Sequence, residues 1–187
     1  EFYHLFVGED GKFIGQEGET WDFKGSWPHS YSDSYFGGIA RLMCAFSNTN
    51  GGVIVFGVDD VSRAAGSNKV NPNTDRLELA YRQLTGSDLK YDFKVYEDKN
   101  HGKVVCLLIK RKPQNHPAHT FLKAISDYKA GVIWVRRGSE VRAASVDDIP
   151  LVYLNSSLDL SSKTVPGQLP ACRSAVRSFV GRMYTID

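Results

Sequence analysis

One stretch, residues 39 to 60, constrains the fold more than any other part of the sequence. It begins with apolar residues at the i, i+3, i+4 and i+7 positions of an amphipathic helix, namely Ile39, Leu42, Met43 and Phe46. The Asn and Gly residues of 48–52 then favour a helix end, because both residue types adopt the left-handed conformation. The apolar run 53–56 is typical of a strand buried on both faces. The stretch therefore predicts a helix, a tight turn and a core strand that leads to two carboxylates, Asp59 and Asp60.

A second strand is predicted within residues 17–24. Trp21 and Phe23 alternate with Asp22 and Lys24, which is the period of a half-buried strand. The two aromatic side chains should therefore enter the core, while Asp22 and Lys24 share the other face. Glu17 has the opposite parity from Asp22, so either Gly18 interrupts the alternation or Glu17 belongs to a preceding turn.

The rest of the chain predicts further helices and strands in mixed order. We expect a turn-rich mobile loop over 25–34, followed later by a helix that is capped by Thr74 or Asp75 and runs to about Leu84. Two strands, 91–97 and 103–109, should form a hairpin, and a further strand should cover 131–137. A short helix should run from a Ser145–Asp148 capping box to about Leu154. Interspersed helices and strands predict an α/β or α+β domain with a mixed sheet flanked by helices.

Composition excludes several classes of protein. The three cysteines, Cys44, Cys106 and Cys172, lack CxxC spacing and are odd in number, which disfavours zinc sites and disulfides and favours a reducing, cytoplasmic location. We find no signal peptide and no apolar span long enough for a bilayer, so we expect no membrane partner.

Positive charge is concentrated in one part of the sequence. The segment from Ile109 to Arg142 contains eight Lys and Arg residues and two acidic residues, which gives it a charge of +6 in a chain of net charge +2. Such clustering is the electrostatic signature of a protein that binds a phosphate backbone. The candidate contacts are Lys110, Arg111, Lys112, Arg136, Arg137 and Arg142, although Arg136 and Arg137 alternate and only one can face a groove. The alternative is an ordinary solvated set of strand ends and loops.

Three blocks together resemble a known family. EGETWDFK, IARLMCAFSNTNGGVIVFGVDD and WVRRGSEVRAASVDDI, in this order within residues 10–152, look like the Schlafen AlbA-type domain. The resemblance implies a Schlafen AlbA-like core. In several members this domain is a metal-dependent endoribonuclease that acts on structured RNA such as transfer RNA, and in others it is a nucleic-acid-binding module.

The resemblance also implies site residues. The three acidic residues of the nuclease members fall on Glu17, Asp22 and Asp60, which would bind Mg²⁺ or Mn²⁺, with Glu19 as the substitute ligand for Glu17. Lys24 would assist at the scissile phosphate. Asp22 stands where Glu is usual and is one methylene shorter, so the metal must lie closer to the strand or the backbone must shift.

The end of the chain suggests a larger protein. Residues 1–154 would form the nuclease domain and 155–178 a linker, while Phe179-Val180-Gly181-Arg182 within 179–187 resembles the start of a STAND NTPase module. That resemblance implies an effector of a bacterial antiphage-defence ATPase, with NTPase and sensor domains in cis and a dimer or higher oligomer. We therefore expect an RNA endonuclease; the alternatives are a non-catalytic nucleic-acid-binding or regulatory module, a DNA nuclease, or a protein-interaction domain.

Overall fold

The computed structural model describes residues 8, 10, 12, 17–59, 61–66, 70–98, 102–114 and 116–153. These contain six strands: β1 (Trp21–Lys24), β2 (Gly52–Phe56), β3 (Tyr91–Asp98), β4 (Gly102–Ile109), β5 (Trp134–Arg137) and β6 (Glu140–Ala143). They also contain the helices α1 (Ser34–Asn48), α2 (Thr74–Thr85) and α3 (Ile149–Tyr153), the last preceded by a 3₁₀ turn at Val146–Asp148.

The main sheet is mixed, as predicted, and its order is β1-β2-β4-β3. β1 lies parallel to β2, with Asp22 beside Ile54 and Lys24 beside Phe56, and β4 runs antiparallel to both β2 and β3. The α+β class is therefore confirmed. Because β1 and β2 are parallel neighbours, the residues that follow them lie side by side at the carboxyl ends of the two strands.

The predicted helix, turn and strand at residues 39–56 are confirmed. α1 starts at Ser34, where Asp33 accepts a hydrogen bond from the Phe36 N–H at 2.8 Å. All five residues of β2 are buried. The helix buries more than its apolar stripe, because the Asn48 side chain donates to the Trp134 carbonyl of β5 at 3.1 Å.

The predicted loop over 25–34 contains neither helix nor strand up to Asp33, and it holds a buried side chain, Trp27, which donates to the Tyr31 hydroxyl at 3.2 Å. The predicted cap of α2 is wrong. Asn73, not Thr74 or Asp75, caps α2 by accepting from the Arg76 N–H at 2.9 Å. Asn, Ser, Thr and Asp are all good caps, so composition alone does not choose among neighbours.

The predicted strand over 131–137 is shorter and has a partner. β5 begins at Trp134 and pairs antiparallel with β6, through a turn in which Gly138 has a φ of 57°. The short helical region after Ser145 is confirmed, since the Ser145 N–H donates to Asp148 Oδ2 at 2.9 Å. The predicted linker and the NTPase-like motif at 179–182 lie outside the described residues.

Apolar side chains cover both faces of the main sheet. α1, α2, Ile54, Phe56 and the inner face of β4 form the larger cluster, whereas Phe23, Val53, Val55 and Val58 belong to the cluster on the other face. β2 therefore packs against apolar side chains on both faces, whereas β1 contributes Phe23 to the second cluster and carries Asp22 and Lys24 on its other face.

Gly57, which ends β2, provides a test of this packing. It has a φ of 92°, and a Cβ there would lie 2.4 Å from the Lys103 carbonyl oxygen. We expect Gly57→Ala to lower the free energy of unfolding by about 3 kcal/mol or more, through strain and overlap together. Gly131→Ala is the matched control, since φ is 74° there but no atom lies within 4 Å of the added Cβ. Its cost should be about 1 to 2 kcal/mol, and equal losses in urea unfolding would contradict this reading.

Candidate active site on strand β1

Glu17 belongs to a turn that precedes β1. The Gly18 N–H donates to the Trp21 carbonyl at 3.1 Å, which closes this turn before the strand begins. The Glu17 side chain folds back along the strand, and its Oε1 accepts from the Phe23 N–H at 2.9 Å. Of the two possibilities for Glu17, the structure therefore shows the second, in which Glu17 belongs to a turn that precedes the strand. Glu19 is exposed within the same bend.

Asp22 is buried on the opposite face from Phe23, with 6% of its surface exposed. Its Oδ1 accepts from Arg136 Nη1 at 3.0 Å, and its Oδ2 forms an ion pair with Lys24 Nζ. The Lys24 ammonium also donates to the Phe23 carbonyl at 2.7 Å. Asp22 and Lys24 therefore share a face, as the alternation predicts, and the carboxylate has a cation at each oxygen.

Arg136 holds this segment in place from β5. Only 2% of the residue is exposed. Besides Asp22, it donates from Nε to the Gly18 carbonyl at 3.0 Å and from Nη2 to the Trp21 carbonyl at 3.1 Å. A guanidinium without partners in such a position would be strongly destabilising. The same side chain therefore fixes both the turn after Glu17 and the carboxylate of Asp22.

The chain that leaves β2 passes beside Lys24. The Gly57 N–H donates to the Lys24 carbonyl at 2.7 Å. Asp59 then accepts from the N–H groups of Val61 and Ser62 at 3.1 and 2.7 Å, and these hydrogen bonds, with one from the Ser62 hydroxyl, lower the pKa of its carboxyl group. Asp59 thus closes a turn at the end of β2. Asp60 lies outside the described residues, so its carboxylate is not placed relative to Glu17 and Asp22.

The donor chemistry of the two placed acids suits a hard divalent cation, but their present contacts restrict it. Among the described residues, no three His, Cys, Asp or Glu side chains are grouped so as to hold a metal. Asp22 Oδ1 is committed to the buried Arg136, whereas Oδ2 is committed to Lys24, whose side chain is 24% exposed. A cation at Asp22 would therefore require Lys24 to turn away from Oδ2, and Glu17 already accepts from the Phe23 N–H.

The predicted basic stretch is largely paired within the protein. Lys110 forms an ion pair with Asp92 at 2.8 Å, and Arg111 donates to the Leu151 carbonyl at 2.7 Å. Lys112 is buried and donates to the His116 carbonyl at 2.8 Å, and burial lowers the pKa of its ammonium group. Much of the local charge of +6 is therefore used to hold the fold together.

Asp148 collects two more of the predicted cations. This buried carboxylate accepts from Arg137 Nη2 at 2.7 Å and from Arg142 Nη2 at 3.0 Å. Its pKa is lowered to about 2, first by the hydrogen bond from the Ser145 N–H and then by the two arginines, against the effect of burial. The arginine side chains remain about 40% exposed, so they stay accessible from solvent. Of the six candidate contacts, Lys112 and Arg136 are the two that are buried.

A buried polar network at the end of α1 was not predicted. The Tyr81 hydroxyl lies 2.7 Å from His119 Nδ1 and 3.3 Å from Cys44 Sγ. The Asn48 side chain accepts from the His119 N–H at 2.8 Å and donates to the His119 carbonyl at 2.9 Å. Burial and the charge of Lys112 lower the pKa of His119 to about 4. His119 is therefore a neutral core residue; the one hint in the sequence is its position in the apolar-flanked segment PAHTF.

Comparison with protein families now adds to this geometry. The profile of the family described as Schlafen, AlbA_2 matches residues 17–145, from Glu17 to the Ser145 turn. The chain belongs to this family. Schlafen AlbA_2 membership supports a nucleic-acid-related domain, and the family includes nucleases. The match contains Asp22, Lys24 and Arg136.

A solved structure shows the same fold. The DIP2311 protein from Corynebacterium diphtheriae superimposes with a TM-score of 0.52 at 15% sequence identity, over 75% of this chain. The match spans 28% of that protein, so this chain corresponds to a part of it. No curated protein matches the sequence. Within the described residues, no helix has both the length and the hydrophobicity needed to cross a bilayer.

The role of Arg136 can be measured as stability. We expect Arg136→Met to lower the free energy of unfolding by about 3 to 5 kcal/mol, because it leaves the buried Asp22 with a single cation. Arg142→Met is the matched control, since Arg142 is half-exposed and Arg137 still pairs with Asp148 in its absence. The control should lose about 1 kcal/mol. Similar losses for both variants in urea unfolding would contradict the role given to Arg136.

His119 should make stability depend on pH. Its pKa falls from 6.5 to about 4 on folding, so the unfolded chain takes up a proton first as the pH decreases. The stability that its neutral form supplies is fully present above pH 6.5 and is lost progressively between pH 6.5 and 4, by about 3 kcal/mol. His119→Gln should remove this slope in urea unfolding. A variant with the wild-type slope would show that another group is responsible.

Proposed function

We propose that this domain is a metal-dependent endonuclease that cleaves structured RNA, such as transfer RNA. The observation that carries the proposal is the Asp22 carboxylate, buried and oriented by Arg136 beside the partly exposed Lys24, within the segment that matches the Schlafen AlbA_2 family. Surface acids at strand ends do not require a buried arginine to orient them. A carboxylate fixed in this way is suited to a chemical role.

Cleavage of a phosphodiester requires that negative charge on the phosphoryl oxygens be neutralised and that a nucleophile be activated. Glu17 and Asp22, together with Asp60, would hold Mg²⁺ or Mn²⁺. The ion would supply charge neutralisation and would activate a water molecule or a 2′-hydroxyl. Lys24 has a second task in this scheme. When it leaves Asp22, its ammonium group becomes available to the scissile phosphate.

The RNA backbone would be held by the accessible cations of the basic stretch. Arg137 and Arg142 each combine a fixed position against Asp148 with an exposed side chain, and Lys110 is half-exposed. Arg111 is partly buried and would act at the margin of this surface. Lys112 and Arg136, being buried, would support the surface from inside instead of contacting RNA.

The test compares acid-to-amide variants in two assays. Asp22→Asn and Asp60→Asn should each reduce Mn²⁺-dependent cleavage of transfer RNA on the order of a hundredfold. Both should also weaken Mn²⁺ binding measured by calorimetry. Glu140→Gln, at an exposed acid in β6, is the matched control and should cleave like wild type. Circular dichroism must show folded protein, because Asp22→Asn disturbs the ion pair with Arg136. Unchanged cleavage by folded Asp60→Asn would refute the proposed site.

One observation favours a second candidate, a non-catalytic nucleic-acid-binding module. Asp22 already has a cation at each oxygen, which is what a purely structural carboxylate would show. This alternative predicts salt-sensitive RNA binding without cleavage, and binding that survives neutralisation of the acids. A DNA substrate is a subsidiary alternative, and parallel assays with DNA of the same sequence distinguish it.

The wider context of the proposal is bacterial defence in the cytoplasm. The residues Phe179-Val180-Gly181-Arg182 support a STAND NTPase module in cis, for which this domain would be the effector. In that arrangement, oligomerisation of the full-length protein would bring effector domains together on RNA.

A further inference from the structure

β3 forms an outer edge of the main sheet. Among the described residues, its neighbour is β4 on one side, and no strand pairs with the other side. The Lys110 N–H donates to the Lys90 carbonyl at 2.7 Å, so Lys90 and Lys110 are a hydrogen-bonded pair. Such pairs alternate along an antiparallel ladder, and the even-numbered residues of β3 therefore bond to β4 through their backbone. Tyr91, Phe93, Val95 and Glu97 therefore direct their backbone N–H and C=O groups outward.

This edge lacks several of the usual protections against pairing. Natural edge strands are shortened, bulged, interrupted by Pro or protected by charged side chains, and of these devices β3 has the charges, at Asp92, Lys94 and Glu97. β3 has eight residues, an unbroken register with β4 and no Pro. Phe93 and Val95 lie on the same face and are 44% and 39% exposed, so two large apolar side chains border the outward backbone groups.

We infer that β3 pairs antiparallel with β3 of a second copy of this chain. The sequence of the strand is its own antiparallel complement when the two-fold axis passes through Phe93. In that register Asp92, which also pairs with Lys110 of its own chain, faces Lys94 of the other copy, twice by symmetry, and Tyr91 faces Val95. Phe93 faces Phe93, and the outward-directed backbone groups of Tyr91, Phe93 and Val95 meet as hydrogen-bonded pairs.

The neighbouring symmetric registers are disfavoured by charge. A two-fold axis at Lys94 places Lys94 opposite itself. An axis at Asp92 places Asp92 opposite itself and Lys90 opposite Lys94. An axis at Val95 separates Asp92 from Lys94 and places Phe93 opposite Glu97. Like charges directly opposite destabilise a sheet, so the pattern of Asp92 and Lys94 selects the axis at Phe93.

The resulting dimer has one continuous eight-stranded sheet. Its order is β1-β2-β4-β3 followed by β3-β4-β2-β1 of the second copy, which places the two β1 strands at opposite edges, roughly 34 Å apart. Each copy therefore keeps its own Asp22 and Lys24, and the inference stands independently of the proposed nuclease activity. Pairing through one strand gives a small interface, so we expect a dimer that exchanges with monomer.

Cysteine cross-linking tests the register in the 187-residue chain. Phe93→Cys places two thiols opposite each other, with Cα atoms about 5.5 Å apart, inside the range of a disulfide. Val95→Cys is the matched control, because its two copies would be roughly 14 Å apart along the strands. Mild oxidation should convert Phe93→Cys to a covalent dimer, and Val95→Cys should cross-link no more than wild type. Equal cross-linking of both variants, or of neither, would overturn the register.

Sedimentation tests the association without an added cysteine. Lys94→Glu turns both cross-strand ion pairs into acid–acid pairs and should raise the dimer dissociation constant about tenfold. Lys90→Glu makes the same charge change at a position that would face Tyr96, and it should leave the constant unchanged. Circular dichroism confirms that each variant is folded. A wild-type chain that is monomeric at its highest soluble concentration would overturn the inference and leave the edge to another strand. So would equal effects of the two substitutions.

Discussion

The buried ion pair between Arg136 and Asp22 is the interaction on which the candidate site depends. Arg136 is fixed by three hydrogen bonds to the segment that carries the acids, and its guanidinium lies 5.5 Å from the Phe46 ring of α1. It therefore joins β5, β1 and the central helix at one point. Because a buried guanidinium needs partners for its donors, the position of Asp22 and the turn after Glu17 are set by packing and not by local sequence alone.

The same pairing limits what the site can do as described. Asp22 has a cation at both oxygens, and only Lys24 is sufficiently exposed to move. A cation could bind at this carboxylate only after the Lys24 ammonium group leaves Asp22 and pairs with another anion. In the proposed function that anion is a phosphate of the nucleic acid. The cations of the 110–142 stretch divide in a similar way. Lys112 and Arg136 belong to the interior, whereas Arg137 and Arg142 hold Asp148 and still reach the surface.

The sequence predicts those features that depend on residues close together in the chain. Periodicity located α1 and β2, alternation placed Asp22 and Lys24 on one face, and the Ser145 turn was visible as a capping pattern. The acid partners of the arginines were not predictable, because Arg136 and Asp22 are 114 residues apart and no local pattern joins them. A count of charges consequently does not show which cations are paired or buried within the protein. The burial of His119 could not be predicted for the same reason, since its partners Asn48 and Tyr81 lie on two separate helices.

The proposed nuclease requires Glu17, Asp22 and Asp60 to share one divalent cation between β1 and the chain that leaves β2. A crystal structure of the chain soaked in Mn²⁺ would show whether they do. We expect anomalous density for manganese in contact with carboxylate oxygens of all three residues, with Lys24 turned away from Asp22 Oδ2 and Arg136 still bound to Oδ1. An Asp60 carboxylate too far from Asp22 to share an ion, with Lys24 still paired to Asp22 and manganese elsewhere, would contradict it.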